Sequence, residues 1–540
     1  MMWKKQSFLL PLLLSTSIAQ AQPARSAKAA EPSPAAPQLI VAIIVDQFRY
    51  DYTTRLAARY TGGLHTMLNE GAVFLDAHQD HFPTVTAPGH ATFMTGSTPA
   101  TSGIVANEWY DRPSGKVITS VEDAATTLLG GTPGAKGSSP HNLLVSTLGD
   151  EIKIADGGTT KVIGISMKDR AAILPAGPMA DAAYWFDSAT GHVVSSTFYL
   201  RELPTWVQRF NAAKPTERAL GQTWYPLGAE GKADRAFLTL PATPDKEYAS
   251  RWQQTPFAND MLESFAELVL TQEHLGHHHG TDLLTVSFSA NDHLGHAVGP
   301  DDPAVEDMCL RTDQAIGRLL AAAERAAGGR QHLLVVLSAD HGVAPKPEVM
   351  AERKMPGGRA SMAEVVNTIV NALNARWGTG EWILSAQETG IYLNYETVAT
   401  KRLTLVEVEE EAARAAATLP FMERTYTREQ LLRHVAMADE IDSYVARGFY
   451  SSRSADVFAI QKPYWLFTAE GTSHGTPYNY DTHVPLIFWG NNVRPGVFPE
   501  RVGVTDVAPT LAALLRIGTP TGSVGSILRE IVPAQSSLNR

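Results

Sequence analysis

The clearest pattern along the chain is a series of short, almost uninterrupted apolar segments separated by stretches with helical spacing. The apolar segments are rich in Val, Ile and Leu, which is typical of strands buried on both faces of a parallel sheet. They cover residues 39–45, 161–167, 283–288, 333–337 and 484–489. Helical spacing of apolar residues covers residues 261–270, 301–323, 365–373 and 405–419. The alternation predicts an α/β fold with a doubly wound, mostly parallel central sheet and helices on both faces.

Polar residues that could bind metal or substrate follow several of these predicted strands. Asp46 comes directly after the first strand, Lys168 after the second, Asp292 four residues beyond the third, and Asp340 with His341 just past the fourth. Open α/β sheets bind their ligands at the carboxyl ends of the strands. The sequence therefore predicts a single functional site at that edge of the sheet.

The spacing of the acidic and histidine residues suits a metal centre. Asp292 and His296 are four residues apart in NDHLGH, which places both on one face of a helical turn, and His474 lies in the small-residue segment GTSHG. Together with Asp46, Asp340 and His341, these side chains form a donor set for two zinc ions. Each motif alone has a structural explanation, because an Asp after a strand is commonly a helix N-cap.

A threonine-rich segment, FPTVTAPGHATFMTG, offers a candidate nucleophile. The Pro-Gly pair after Thr86 predicts a tight turn that holds the hydroxyl at the start of a helix beginning near His90. Helix-terminal N–H groups and a metal would both favour the alkoxide there. Spacing alone does not choose between Thr86 and Thr84, and a threonine in such a turn can instead be a helix cap.

Composition narrows the class of protein. The chain has 540 residues, a net charge of −11 and one cysteine, Cys309. No Lys/Arg cluster of the kind that binds a phosphate backbone is present, so a nucleic-acid partner is not expected. Lys4 and Lys5, the apolar segment 8–14 and the Ala-Gln-Ala at 19–21 predict a secretory signal peptide over residues 1–21.

We expect a flexible lead-in over residues 22–37, no membrane anchor, and a periplasmic or secreted protein that is a monomer. The histidine-rich segment at 274–280 predicts a solvated loop outside the site.

The run FPTVTAPGHATFMTG followed by SGIVANEWYD, with D-x-x-x-H, S-A-D-H-G and S-H-G further on, resembles the alkaline phosphatase superfamily. It is most similar to the secreted alkaline phosphatases that use a threonine nucleophile, which are related to the nucleotide pyrophosphatases/phosphodiesterases. The resemblance extends from about Asp46 to the C-terminal TDVAPTLAALL.

The resemblance implies a role for each candidate. The family's nucleophilic threonine stands 21 residues before an asparagine that contacts the phosphoryl group, and this spacing from Asn107 selects Thr86. The implied ligands of the zinc that activates Thr86 are Asp46, Asp340 and His341, with Thr86 itself. Those of the zinc facing the leaving group are Asp292, His296 and His474. His483, in DTHVPL, is an alternative to His474.

Lys168 and Arg170, in SMKDR, match the pair of cations that contacts the phosphoryl oxygens in the resembling phosphatases. Fixed cations favour the monoester dianion over a diester. The resemblance thus implies a two-zinc alkaline phosphatase that hydrolyses small phosphate monoesters through a phosphothreonine intermediate.

Three alternatives remain. They are a phosphodiesterase/nucleotide pyrophosphatase of the same fold, a sulfatase, whose C/S-x-P-x-R context is not found around Thr86, and a silent phosphate- or zinc-binding protein. The expected organisation is a catalytic domain over residues 38–540, with accessory insertions at about 171–280 and 344–470 that cap the site.

Overall fold

The computed structural model describes residues 36–387, 390–433 and 438–532. The predicted signal peptide and most of the lead-in lie outside these described residues. The strands, numbered in chain order, are β1 (Leu39–Val45), β2 (Ala72–His78), β3 (Glu108–Asp111), β4 (Lys116–Thr119), β5 (Glu122–Leu129), β6 (Lys136–Ser138), β7 (Val162–Ser166), β8 (Ala182–Asp187), β9 (His192–Ser196), β10 (Thr223–Trp224), β11 (Leu238–Thr239), β12 (Asp282–Phe288), β13 (Leu333–Ser338), β14 (Gly358–Arg359), β15 (Ile383–Gln387), β16 (Gly390–Leu393), β17 (Met422–Thr427), β18 (Val457–Gln461), β19 (Trp465–Leu466), β20 (His483–Gly490) and β21 (Gly496–Gly503).

The helices, also in chain order, are α1 (Tyr50–Arg55), α2 (Gly63–Glu70), α3 (Thr86–Thr95), α4 (Pro99–Ser102), α5 (Leu148–Asp156), α6 (Asp169–Ala176), α7 (Thr205–Ala212), α8 (Tyr248–Gln253), α9 (Pro256–Gln272), α10 (Ala290–Val298), α11 (Pro303–Ala327), α12 (Pro347–Glu352), α13 (Met362–Trp377), α14 (Tyr395–Thr400), α15 (Leu405–Ala416), α16 (Arg428–Leu432), α17 (Glu440–Gly448), α18 (Asn479–Thr482) and α19 (Val507–Leu515). Within the described residues, no helix is both long enough and apolar enough to cross a bilayer.

A large mixed sheet forms the centre of the molecule. Its strand order is β21-β2-β20-β13-β1-β12-β7-β8-β9-β5-β6. The block β13-β1-β12-β7-β8 is parallel throughout. The residues of β1, β12 and β13 are buried along their whole length, as expected of strands covered on both faces. The predicted α/β class with a mostly parallel core is therefore confirmed.

The strand predicted at 484–489 runs against the parallel block. This strand, β20, is antiparallel to both β13 and β2. Its apolar run cannot be distinguished from that of a parallel strand, because burial on both faces produces the same pattern in either direction. The structure also places β8 and β9 in the main sheet. The stretch 171–280 is therefore not wholly accessory, since these strands and α9 contribute to the central core.

The stretch 344–470 has a small sheet of its own. Strands β15, β16, β18 and β17 pair in that order, and α13 and α15 pack with them. Their apolar side chains form a separate buried cluster that includes Val365, Ile369 and Val408.

The register of the central strands determines where the polar motifs meet. Val45 of β1 pairs with Phe288 of β12, and Ile44 pairs with Ser338 of β13. Because the three strands are parallel and end at the same level, the residues that follow them emerge side by side at one edge of the sheet.

Candidate metal centre and nucleophile

The six acidic and histidine residues predicted as ligands lie together at this edge. One group is Asp46, Asp340 and His341, and a second is Asp292, His341 and His474. In each group the donor atoms all lie within 4.8 Å of one another. His296 joins the second group, because its Nε2 is 3.1 Å from Asp292 Oδ1 on the next turn of α10. The structure thus brings together residues separated by more than 400 positions.

Thr86 is the first residue of α3 and is buried beside these groups. Its Oγ lies 3.5 Å from Lys168 Nζ, and that Nζ is 2.6 Å from Oδ2 of Asp46 and 2.6 Å from Oδ2 of Asp292. The helix was expected to begin near His90, and this expectation is wrong by one turn. Pro88 falls within the first turn of a helix, where its missing N–H costs no hydrogen bond.

Each of the three candidate imidazoles is oriented by a backbone carbonyl. The Nδ1 atoms of His296, His341 and His474 lie 3.0, 2.9 and 2.9 Å from the carbonyl oxygens of Thr472, Gly342 and Thr84 respectively. A protonated Nδ1 that donates to a carbonyl leaves the lone pair of Nε2 free for a metal. All three rings therefore direct Nε2, rather than Nδ1, toward the carboxylates of the site.

The carboxylates of the site differ strongly in their affinity for protons. Burial, with repulsion from Asp292 and Asp340, raises the pKa of Asp46 well above its ordinary value. Burial likewise raises the pKa of Asp340 to about 7. Burial also acts to raise the pKa of Asp292, but Lys168 and His296 outweigh it and hold that pKa well below the ordinary value. Three carboxylates this close together repel one another when ionised, so they need positive charge nearby to stay ionised.

The pKa values of the three histidines also shift in different directions. Burial lowers the pKa of His341 well below its usual range, and burial with repulsion from His296 lowers that of His474 to about 3. Burial also acts to lower the pKa of His296, but attraction to Asp292 raises it to about 9. His341 and His474 are therefore neutral, which is the form that binds metal.

Several buried polar atoms of the site make no hydrogen bond within the described part of the chain. Oδ1 of Asp46 and Nε2 of His341 make none, and Oδ2 of Asp46 and Oδ2 of Asp340 have only ion-pair neighbours there, Lys168 Nζ at 2.6 Å and His90 Nδ1 at 3.2 Å respectively. Buried polar atoms without a hydrogen-bond partner are uncommon and call for an explanation. Oxygen and imidazole donors in this number and arrangement fit divalent cations.

Of the predicted substrate-binding residues, Lys168 contacts Thr86 and Asn107 contacts its neighbour Ala87. Oδ1 of Asn107 accepts a hydrogen bond of 2.9 Å from the backbone N–H of Ala87, so its amide NH₂ is the end left free. Lys168 touches Thr86 directly, as described above. Arg170 lies in the first turn of α6 with its Nε buried and without a hydrogen bond among the described residues.

The alternative ligand His483 lies in a different environment. Its Nε2 donates to the carbonyl oxygen of Leu75 at 2.9 Å, and its ring stacks between Tyr50 and His78. His474, by contrast, has its Nε2 3.7 Å from Asp292 Oδ1 and its ring stacked on His341. The geometry favours His474, although the ligand assignment itself stays a prediction.

Two supporting residues were not predicted from the sequence. The Nε2 of Gln47 donates to Asp292 Oδ1 at 2.7 Å, and its backbone N–H donates to Asp340 Oδ1 at 3.2 Å. His90 Nδ1 is 3.2 Å from Asp340 Oδ2. The position of Gln47 directly after Asp46 was the one available signal, because a residue that follows a ligand at a strand end lies in the site.

The comparisons with known proteins identify the family of the chain. The chain is 33% identical to alkaline phosphatase PafA of Elizabethkingia meningoseptica over 520 residues, covering 92% of this chain and 94% of the relative. It is also 33% identical to alkaline phosphatase PhoV of Synechococcus elongatus, covering 97% of this chain and 98% of that protein. The crystal structure of wild-type PafA matches with a TM-score of 0.85 at 31% identity, over 93% of this chain and 100% of the other.

The fold and these relatives together define a hydrolase of the alkaline phosphatase superfamily, built on an α/β sheet. The family model described as type I phosphodiesterase / nucleotide pyrophosphatase matches residues 40–484. The chain therefore belongs to that family.

Proposed function

We propose that this enzyme hydrolyses phosphate monoesters through a phosphothreonine intermediate formed on Thr86 at a two-zinc centre. Alkaline phosphatase activity, with a divalent metal cofactor and small phosphate esters as substrates, follows from its relatives. The intermediate, the identity of the metal and the roles of individual residues are our proposal. The observation that carries it is the position of the Thr86 hydroxyl beside two groups of ligand atoms.

In this proposal Asp46, Asp340 and His341 hold the ion nearer Thr86, and Asp292, His296 and His474 hold the other. His341 lies within reach of both groups, so the division follows the resemblance to known phosphatases rather than distance alone. Bound divalent cations supply charge that lowers the pKa of hydroxyl and water and stabilises the oxygens that become negative during transfer.

The protein's own residues account for the rest of the reaction. The Oγ of Thr86 loses its proton and forms a bond to phosphorus while the bond from phosphorus to the leaving oxygen breaks, and the leaving oxygen takes up a proton from solvent. Water then loses a proton and attacks phosphorus, the bond to Oγ breaks, Oγ regains a proton, and phosphate is released. Phosphoryl transfer depends mainly on positioning and charge. The free amide of Asn107, together with Lys168 and Arg170, would orient the non-bridging oxygens in both steps.

Lys168 and Arg170 also support the choice of a monoester. A monoester dianion carries one more negative charge than a diester, so fixed cations beside the nucleophile favour it. We therefore expect p-nitrophenyl phosphate to be hydrolysed with a much higher kcat/KM than bis(p-nitrophenyl) phosphate. A higher value for the diester would instead support the phosphodiesterase alternative.

The decisive experiment concerns Thr86. We expect Thr86→Ala to lower kcat/KM by more than about a thousandfold, because the nucleophile is lost. Thr86→Ser should retain activity, since it keeps the hydroxyl. Acid quenching of the wild type with ³²P-labelled monoester should label the peptide that contains Thr86. Unlabelled protein, or full turnover in the alanine variant, would refute the covalent mechanism. Metal analysis should find about two zinc ions per chain at this centre.

Two further proposals rest on the sequence alone. We propose that the mature chain is exported to the periplasm or the medium after cleavage behind Ala21, and that it works as a monomer. Edman sequencing of the exported protein and light scattering test these two points.

We also propose that the stretch 344–470, with its own small sheet, caps the site and limits which esters enter.

A further inference from the structure

A buried threonine lies two residues before the proposed nucleophile. Spacing in the sequence did not distinguish this residue, Thr84, from Thr86. In the structure its side chain is fully buried, and its Oγ donates a hydrogen bond of 2.7 Å to the backbone carbonyl oxygen of Thr476, 392 positions along the chain. The Thr84 hydroxyl therefore joins two distant segments, a role that the proposed reaction does not assign to it.

A second hydrogen bond joins the same two segments. Nδ1 of His474 donates to the carbonyl oxygen of Thr84 at 2.9 Å. The segments also pack closely between these bonds, since a Cβ at Gly475 would lie 3.4 Å from Cγ1 of Val85. Thr84 thus both donates to and accepts from the segment that carries His474, and Thr86 follows only two residues later.

A buried acid anchors the Thr476 end of this arrangement. Oδ2 of Asp481 accepts a hydrogen bond of 2.8 Å from the backbone N–H of Thr476 and one of 2.6 Å from its Oγ. Both residues are buried. Two hydrogen bonds from one residue to a single buried oxygen fix the orientation of Thr476, and with it the direction of the carbonyl that receives the Thr84 hydroxyl.

The backbone of Asp481 extends the connection to the other ligand group. Its carbonyl oxygen accepts a hydrogen bond of 2.7 Å from the N–H of Gly342, whose own carbonyl oxygen is the partner of His341 Nδ1. These contacts, from Thr84 through Thr476 and Asp481 to Gly342, are called here the Thr84–Asp481 network. The network links the segment before the nucleophile with two segments that carry candidate imidazole ligands.

The first turn of α3 does not by itself hold Thr86 in place. This helix begins at Thr86, so Thr84 lies outside it, and the first backbone N–H groups of any α-helix lack partners within the helix. Contacts from neighbouring segments must therefore fix this end of α3. The two hydrogen bonds of Thr84 are contacts of this kind.

We propose that Thr84 is a positioning residue for the hydrolysis, which acts through the Thr84–Asp481 network to hold the Thr86 hydroxyl and the His474 ring in fixed relative positions. The inference rests on the proposed function, because it takes Thr86 as the nucleophile and His474 as a metal ligand. Catalytic groups must be held within about 0.5 Å of the productive geometry, so a residue can influence the rate through the groups that it positions.

The first test removes the Thr84 hydroxyl alone. Thr84→Val keeps nearly the same shape but cannot donate, so the Thr476 carbonyl loses this donor, whereas Thr84→Ser keeps it. We expect Thr84→Val to lower kcat for p-nitrophenyl phosphate by more than about tenfold, with a smaller change in KM because Asn107, Lys168 and Arg170 are untouched. Thr84→Ser should recover most of the lost rate.

Zinc affinity provides a readout that does not require turnover. The protein is stripped of metal and titrated with Zn²⁺ in competition with a chromophoric chelator. In Thr84→Val one equivalent of zinc should bind more weakly by more than about tenfold, because the carbonyl that orients His474 is no longer held in place. Thr476→Val removes only the Oγ bond to Asp481, so it should weaken zinc binding in the same direction but by less, and it replaces Thr84→Val if that variant does not fold.

Thr255→Val is a matched control. Thr255 is as deeply buried as Thr84, and its Oγ also donates to a backbone carbonyl, that of Trp252, at 2.6 Å. This bond lies in the turn before α9, outside the ligand-bearing segments, so the control should lose a comparable amount of thermal stability but keep its kcat and zinc affinity. Unchanged zinc affinity in both Thr84→Val and Thr476→Val, or a loss as large in the control, would overturn the proposal. That result would leave the covalent mechanism standing, because labelling of Thr86 tests it separately.

Discussion

The side-chain amide of Gln47 donates a hydrogen bond of 2.7 Å to Oδ1 of Asp292, a candidate ligand on a different strand end. Its backbone N–H donates to Asp340, so one residue supports carboxylates of both ligand groups. Gln47 has a φ of 61°, a left-handed conformation that is uncommon for residues other than glycine. A buried residue held in such a conformation at a site indicates that its position matters there.

The first prediction concerns Gln47→Gly. Glycine adopts the positive φ without strain, so thermal stability should be retained while the amide is lost. We expect zinc affinity at the Asp292 group to fall by about 10–100-fold, as measured by competition with a chromophoric chelator. Gln461→Ala, which removes a buried amide far along the chain on β18, should leave zinc affinity unchanged. An unaltered affinity in Gln47→Gly would show that the amide does not orient Asp292.

The second prediction concerns Gly295, which leaves room for that amide. A Cβ at position 295 would lie 1.9 Å from Gln47 Oε1, so Gly295→Ala must displace the side chain. We expect zinc affinity to fall in the same direction as in Gln47→Gly. In the double variant the two effects should be far from additive, because both act through one hydrogen bond. If the losses of zinc affinity were additive, Gly295→Ala would act by a mechanism other than loss of the hydrogen bond from Gln47 to Asp292.

The third prediction concerns Lys168, whose ammonium group lies between Asp46 and Asp292. Without this cation the metal-free protein would bury several carboxylates with less compensating charge, so Lys168→Met should lower its Tm by several degrees. Zinc should recover much of that loss, since it supplies the missing charge. Lys153→Met, which breaks a partly buried ion pair of 2.8 Å with Asp181, should also lower Tm but without recovery by zinc. Differential scanning calorimetry with and without metal tests both expectations.

The fourth prediction concerns pH and two glutamates of α15. Burial raises the pKa of Glu409 to about 7, so the folded state binds this proton more tightly than the unfolded chain. Stability from this group is complete below about pH 4.5 and is lost as the pH rises through about 7. Glu409→Gln should therefore be more stable than the wild type at pH 8, by on the order of 2 kcal/mol, and should lose this advantage at pH 4.5.

Glu411 on the same helix provides the opposite case. Burial acts to raise its pKa, but hydrogen bonds from Arg414 and Arg376 outweigh this and lower it. Its stabilising effect is present above its unfolded pKa and fades in acid, so Glu411→Gln should be less stable than the wild type at pH 8. Thermal melts of both variants from pH 4.5 to 8 should diverge in opposite directions. If the stability of both variants changed with pH in the same direction, burial rather than Arg414 and Arg376 would determine the pKa of both glutamates.

Much of the fold is local in origin and could be predicted from the sequence. The segments at 39–45, 283–288 and 333–337 form strands within one residue of their predicted limits, because a run of apolar β-branched residues identifies a buried strand. The direction of β20 and the strands of the second sheet could not be predicted in this way. Strand direction and partner depend on residues far apart in sequence, which local patterns do not encode.

Part of the candidate site, too, could be predicted from the sequence, and part could not. The chemical identity of its residues, and their place after strands that end at one edge, is contained in the sequence. Whether His474 or His483 approaches Asp292 was decided only by tertiary structure, since the two histidines lie within ten residues of each other in the sequence. The contacts of Gln47 with two carboxylates, and the start of α3 at Thr86, likewise depend on how separate segments pack. Periodicity specifies which face of an element is buried, whereas contacts between distant side chains exist only once the sheet has formed.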